Sequence, residues 1–184
     1  DDWIEPKAIE LFFNFLKKNN EQCYVYSDII LEGATKNILK KEFNFFEQMF
    51  INQIPYSIFI SKKNWLMNKG YDELMLNGYE DWDFNIRLGS LGFYGKRLSR
   101  PLFHYNVSYS GMLLSKSSKI HPQLWKYIVK KNSKLYKLKK MYFLFKEWRN
   151  KPSSYPLIIF FLWYYIFFFS PEIFASKLFI IFRN

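Results

Sequence analysis

Apolar residues recur at helical spacing in the first part of the chain. In "WIEPKAIELFFNFLKKNN", Ile9, Phe12, Phe13 and Leu16 form a stripe, and Pro6 suits a first helical turn. "CYVYSDI", from Cys23, is apolar and aromatic without that period and reads as a short buried strand. "KKEFNFFEQMFINQ" reads as a second helix and "YSIFISK" as a second strand, entered through Pro55. A loop carrying Gly70 and Gly78 leads into "GYEDWDFNIRL", whose acidic residues open a helix running to about Leu91. "FYGKRL" and "PLFHYNV" read as two strands joined at Ser99-Arg100-Pro101. Helices alternating with strands predict an α/β body that ends near Met112.

Beyond that point the pattern changes. From Gln123 to Trp148 it is helical and amphipathic, with Leu124, Ile128, Leu135, Leu138, Tyr142 and Phe145 on one side. Lys126, Lys130, Lys134 and Lys137 lie elsewhere on the wheel. The run "LIIFFLWYYIFFF", Leu157 to Phe169, is shorter than the ~20 residues a spanning helix needs, and Pro171 and Glu172 follow it. It reads as an interfacial or re-entrant tail, with a true span as the alternative. Charge divides the chain in the same places. Residues 1–115 hold 13 Lys/Arg against 14 Asp/Glu, whereas residues 116–151 hold 12 Lys/Arg against Glu147 alone. Three segments are therefore expected: a body (1–115), a basic helical tract (116–151) and a hydrophobic tail (152–184). A basic tract running into a greasy one predicts an anionic membrane surface as partner. Nucleic acid is the poorer match, because the aromatics concentrate in the tail and are not interleaved with the basic residues. One cysteine, Cys23, excludes an internal disulfide and a cysteine-rich zinc site.

The acidic cluster is the candidate site. At a helix start, free N–H groups and the dipole favour Glu80 and Asp81 as carboxylates. Asp83 and Arg87 are four apart and are expected to pair along the helix surface. Glu80 and Asp81 have no such neighbour. A shielded, ionised carboxylate without a structural partner can take a proton from a bound hydroxyl. Tyr79 and Trp82 offer flat faces for sugar rings. The competing reading is that the acids only cap the helix.

The wider pattern "GYEDWDFNIRLGSLGFYGKRLSRPLFHY" resembles the C-terminal half of family 2 glycosyltransferases with the GT-A fold, a Rossmann-like nucleotide-diphospho-sugar transferase architecture. "DDWIEPKAIE" resembles the segment carrying that family's Asp-x-Asp motif, "YVYSDI" the strand after it, and "PYSIFISKKNWLMNKGYDE" the acceptor-side segment. The resemblance covers Asp1 to about Met112. It implies an inverting transfer of sugar from a nucleotide-diphosphate donor, held through a divalent Mn²⁺ or Mg²⁺, to a polysaccharide or glycolipid acceptor. Asp81 would be the catalytic base, with Glu80, Tyr79 and Trp82 on the acceptor. Asp1, as second Asp of the motif, would ligate the metal or approach the diphosphate, with Asp2 beside it on the donor. His104 is a further candidate metal or phosphate ligand, set against a structural role. Asn106 stands where many relatives carry Arg, and Ser110 and Met112 loosely match a Ser-Met element. The resemblance starts inside Asp-x-Asp, so it implies a nucleotide-binding half upstream, without which residues 1–184 should be unstable and inactive. The expected location is the cytoplasmic face of the plasma membrane, peripherally bound. The alternative is a non-catalytic membrane-surface binding module. No phosphate-binding P-loop is present, and His104 and His121 lack metal-ligand spacing with any carboxylate.

Overall fold

The structure, a computed structural model, describes residues 2–19, 22–54, 56–108 and 116–169. Among these, β1 (Trp3–Ile4), β2 (Cys23–Gly33), β3 (Asn37–Leu39) and β4 (Tyr94–Val107) form one open mixed sheet in the order β1-β4-β2-β3. The long strands β2 and β4 run parallel, from Cys23 opposite Tyr94 to Gly33 opposite Val107. β1 is antiparallel to β4 and β3 antiparallel to β2. The first six residues of β2 are buried, as expected of a strand covered on both faces. Its side chains alternate between two cores. Cys23 and Val25 meet Ala8, Phe12 and Leu16 of α1 (Ala8–Lys18). Tyr24 and Tyr26 face the larger core, with Phe46, Trp82 and Phe84.

The predicted alternation of helix and strand is present, with local corrections. α1 buries Ala8, Phe12 and Leu16, whereas Ile9 and Phe13 are more than half exposed. The contact stripe is thus rotated from the expected one, and the small Ala8 lets the helix approach the sheet. Pro6 lies just before the helix, whose N-cap is Lys7. The helix expected over 40–53 is a single turn, α2 (Phe45–Gln48). Residues 43–50 are all buried, so no solvent face exists, and side chains take over the backbone's partners. Asn44 Oδ1 accepts the Glu47 N–H (3.2 Å), while its Nδ2 donates to the carbonyl of Trp148 (3.1 Å). "YSIFISK" contributes only a single antiparallel bridge, Phe59 to Val25. An unforeseen helix, α3 (Lys62–Met67), starts at Ser61, whose hydroxyl accepts the Asn64 N–H. α4 (Glu80–Ser90) matches the expected helix. It packs so closely on α2 that a Cβ at Gly89 would stand 1.9 Å from Phe45. The two expected strands after it are one, β4, whose ladder with β2 is irregular where Asp28 faces Pro101. Proline lacks the ladder N–H, and a bulge accommodates it.

The basic tract is two helices, α5 (His121–Lys131) and α6 (Leu138–Trp148), followed by α7 (Ile158–Phe169). The break at 132–137 splits the expected stripe: Leu124, Ile128 and Leu135 are buried, but Leu138 and Tyr142 are about half exposed. All three helices share the large core, through Ile128, Met141, Leu144, Trp148 and Phe160. α7, at 12 residues, is about 18 Å long. Among the described residues no helix is long and apolar enough to cross a membrane.

Candidate functional site

The entry to α4 is built from two successive left-handed residues, Gly78 (φ 99°) and Tyr79 (φ 70°). A tyrosine in that region is strained, and such strain concentrates at functional sites. The turn sends the Tyr79 hydroxyl to His121 Nδ1, 2.9 Å away, at the start of α5. It also aims the first turn of α4 at a cavity of about 710 Å³.

Residues distant in sequence meet on that cavity: Asp2, Asn52, Tyr56, Glu80, Asp81 and Tyr105 line it. Tyr26, Tyr79, Trp82 and His121 contribute further rings. Asp81 Oδ1 accepts its neighbour Trp82's N–H (2.7 Å), and Oδ2 accepts from Asn52 Nδ2 (3.1 Å). No cation pairs with Asp81 among the described residues. Burial raises its pKa most. The Asn52 hydrogen bond opposes the rise, the nearby Glu80 carboxylate adds to it, and the net value is about 6. Asp81 is thus ionised at neutral pH, as the sequence implies, but much closer to its titration point than a helix N-terminus alone would leave it. Asp2 stands across the cavity. Its Oδ1 accepts the Asn106 backbone N–H (2.8 Å) and its Oδ2 accepts the Tyr56 hydroxyl. Asn106 therefore holds Asp2 through its main chain.

Several candidates have different surroundings from those expected. Asp83 is fully buried, and its pairing is no surface contact. Oδ2 accepts from Arg87 Nε (2.7 Å) and Lys131 Nζ (2.7 Å), and Oδ1 from Asn132 Nδ2 (2.9 Å). The last residue of α5, Lys131, and the residue that caps it, Asn132, supply two of these donors, which the spacing within α4 could not reveal. Trp82 is 1% exposed, with its indole N–H donated to the Gln48 carbonyl (2.6 Å) and its ring against His121. It supports the cavity wall and offers no open face for stacking. His104 does not line the cavity. Its Nδ1 lies 2.8 Å from Glu32 and its Nε2 3.0 Å from Glu5, and the ring stacks on Trp3 at 3.4 Å. Burial lowers its pKa, the two carboxylates outweigh burial, and the net shift is upward. Both ring nitrogens are thus engaged by carboxylates, away from the cavity that Asp2 and Asp81 line. Asp1, Ser110 and Met112 lie outside the described residues.

Among the described residues no group of three or more His, Cys, Asp or Glu is arranged to hold a metal alone. A divalent ion that keeps its waters and binds mainly through phosphate needs only one or two carboxylates. Asp2, whose oxygens retain lone pairs beside their two hydrogen bonds, fits that role. Asn52, Tyr56 and His121 were not foreseeable as site residues, since only tertiary contacts bring them to the acids. No family model matches the chain, and no curated protein matches it significantly.

Proposed function

We propose that this chain is the acceptor-side part of an inverting, metal-dependent glycosyltransferase of the GT-A type, working peripherally at the cytoplasmic face of a membrane. The observation that carries the reading is the convergence of Asp2, Glu80 and Asp81 on one aromatic-walled cavity. The order of the motifs and the parallel β2–β4 pair with helices on both faces agree with it. In this reading Asp81, oriented by Asn52 and the Trp82 N–H, accepts the proton of the acceptor hydroxyl. That oxygen forms its bond to the anomeric carbon while the bond from that carbon to the diphosphate oxygen breaks on the opposite side, inverting the configuration. A pKa of about 6 suits a base that must be ionised at neutral pH yet still hold a proton well. Glu80 orients the acceptor, and Tyr79 and Tyr105 supply apolar faces. Asp2, with Asp1 beside it, would hold the metal and donor diphosphate. A bound Mg²⁺ or Mn²⁺ would stabilise the negative charge of the departing nucleoside diphosphate. Three carboxylates against Lys41 and His121 on the lining favour a neutral polyol acceptor over an anionic one.

The test is release of nucleoside diphosphate by the full-length gene product from a panel of nucleotide sugars with Mn²⁺ or Mg²⁺. Release is expected with at least one donor, and Asp81→Asn should lower it ~10²–10⁴-fold. Failure to bind or cleave any donor would leave a non-catalytic membrane-surface module as the better account.

A further inference from the structure

The acceptor-side segment before the cavity exposes apolar side chains that the core does not need. Leu74 and Leu76 are 80% and 79% exposed, and Leu66 and Met67 on α3 are 63% and 46% exposed. Scattered exposed leucines are ordinary, but four large apolar chains within one short segment mark an interaction surface. The segment is also held firmly. Arg87 donates to the carbonyls of Asn68 and Gly70, the latter at 2.7 Å. Asn68 Nδ2 donates to the Phe84 carbonyl (3.0 Å), Trp65 packs on Phe84, and Met75 is buried between the two leucines. The leucines are presented by a pinned backbone.

The charge on the segment selects the occupant. Lys62, Lys63 and Lys69 are exposed beside the apolar chains, with Glu73 as the one exposed acid, while Asp72 is paired with Lys131 at 2.5 Å. Exposed lysines around apolar side chains match an anionic bilayer, where the stems lie along the apolar phase and the ammonium groups reach the phosphates. A second copy would bring like charges together. Two residues past Leu76 the chain enters the cavity wall at Gly78 and Tyr79.

We propose that the Leu66–Leu76 segment is a membrane-contacting rim that holds the cavity against an anionic bilayer, and that the acceptor is a glycan anchored in that bilayer. The acceptor assignment rests on the transferase reading; the membrane contact does not. The rim adjoins the first basic helix, through Asp72 with Lys131 and the Tyr127 hydroxyl, but its apolar side chains are its own.

Within residues 1–184 Cys23 is the one cysteine and is buried, so an introduced surface cysteine labels uniquely there once any accessible cysteine elsewhere in the full-length protein is replaced by Ser. Leu74→Cys, Leu76→Cys and, as control, the exposed Ser90→Cys are labelled with the environment-sensitive dye NBD in the full-length protein. Mixed phosphatidylcholine–phosphatidylglycerol vesicles should blue-shift and brighten the first two labels several-fold and leave the third unchanged. No response at 74 and 76, or a response without vesicles that grows with protein concentration, overturns the rim as a membrane contact; the latter would mark a contact between copies. The acceptor assignment is tested by the double variant Leu74→Ser, Leu76→Ser. It should raise KM several-fold for a lipid-linked acceptor, with kcat and the KM for a short soluble acceptor unchanged. Equal effects on both acceptors overturn the anchored-acceptor inference. The dye responds whether or not sugar is transferred, so failure of the rim and failure of the transferase reading are separable.

Discussion

Asp81 and Asp83 stand two residues apart on α4 and should respond in opposite directions to the same substitution. Burial and Glu80 raise the Asp81 carboxyl from the ordinary aspartate value of ~3.9 to about 6 in the folded protein. The folded state therefore binds more protons than the unfolded state between these values. Asp81 thus destabilises the fold above about pH 6, and that cost fades as pH falls toward 4. Two units correspond to almost 3 kcal/mol at ~1.36 kcal/mol each. Asp81 is only half-buried, and Asn must serve Asn52 and the Trp82 N–H with one fewer acceptor oxygen. The expected net gain for Asp81→Asn is about 1–2 kcal/mol at pH 7, vanishing near pH 4.

Asp83 has the reverse position, accepting from Arg87, Lys131 and Asn132 with no exposure of its own. Asn in its place turns an N–H₂ toward a donor whichever way it is flipped, and the Arg87 and Lys131 cations lose the carboxylate charge that they face. Arg87 keeps the Asn68 and Gly70 carbonyls and Lys131 keeps Asp72, which limits the loss. Asp83→Asn should cost about 1–3 kcal/mol, against the ~0.3–0.5 kcal/mol of a surface pair. The assay is urea denaturation of the full-length variants at pH 7 and pH 4.5, followed by circular dichroism, with turnover measured beside it. If both variants shift stability in the same direction, or if Asp83→Asn stays within 0.5 kcal/mol of wild type, the division of roles is wrong. A stabilised but inactive Asp81→Asn is the signature of a residue kept for chemistry at the expense of the fold.

Further expectations concern other parts of the molecule. The rate profile should fall on the acid side with an apparent pKa of about 6, as Asp81 takes up a proton, and an acid limb near pH 4 would argue against it as base. His104, raised by Glu32 and Glu5 in spite of burial, contributes stability that is fully present below the ordinary histidine value and lost as pH rises through its folded pKa. His104→Gln should therefore flatten that part of the stability–pH curve without changing metal dependence of turnover. Gly89→Ala should destabilise by about 1–2 kcal/mol despite alanine's helix propensity, because the methyl group must displace the Phe45 ring, and an unchanged melting temperature would contradict that packing. On the outer faces of α6 and α7, Tyr142 and Leu162 are 52% and 61% exposed beside a basic stripe, and replacing both with Ser should weaken binding to anionic vesicles measurably in a flotation assay.

What was legible in the sequence was what local pattern encodes. α4 could be placed nearly residue by residue, because carboxylates at its start and the Gly-rich turn before it are local signals. β2 was recognised by the apolar and aromatic run at its start, although its full length was not. The segment around α2 was misread because a chain buried on every side has no period to report, and its start is set by Asn44, which caps α2 while donating to the distant carbonyls of Trp148 and Pro152. The same blindness hid most of the site. Asp2, Glu80 and Asp81 could be nominated from motif order, but Asn52, Tyr56 and His121 enter through contacts that no spacing predicts.

The four letters "EDWD" also show why one stretch could support both a chemical and a structural reading. Residues two apart on a helix point about 200° apart around its axis. Asp81 and Asp83 are therefore bound to look to opposite sides, one into the cavity and the other into the body toward α5. Trp82, between them, fills the core and donates to Gln48. The structural acid makes the other's position possible. Asp83 ties α4 to Lys131 at the end of α5 and to Asn132 just past it, and its partner Arg87 ties α4 to the carbonyls of Asn68 and Gly70. A carboxylate destabilised by burial would otherwise turn its helix end outward to water. Held from below by this network and from above by the Tyr79–His121 contact, Asp81 stays half-buried and close to its titration point. The acidic cluster is thus one anchored helix start, with one carboxylate holding the position from which the other faces the cavity.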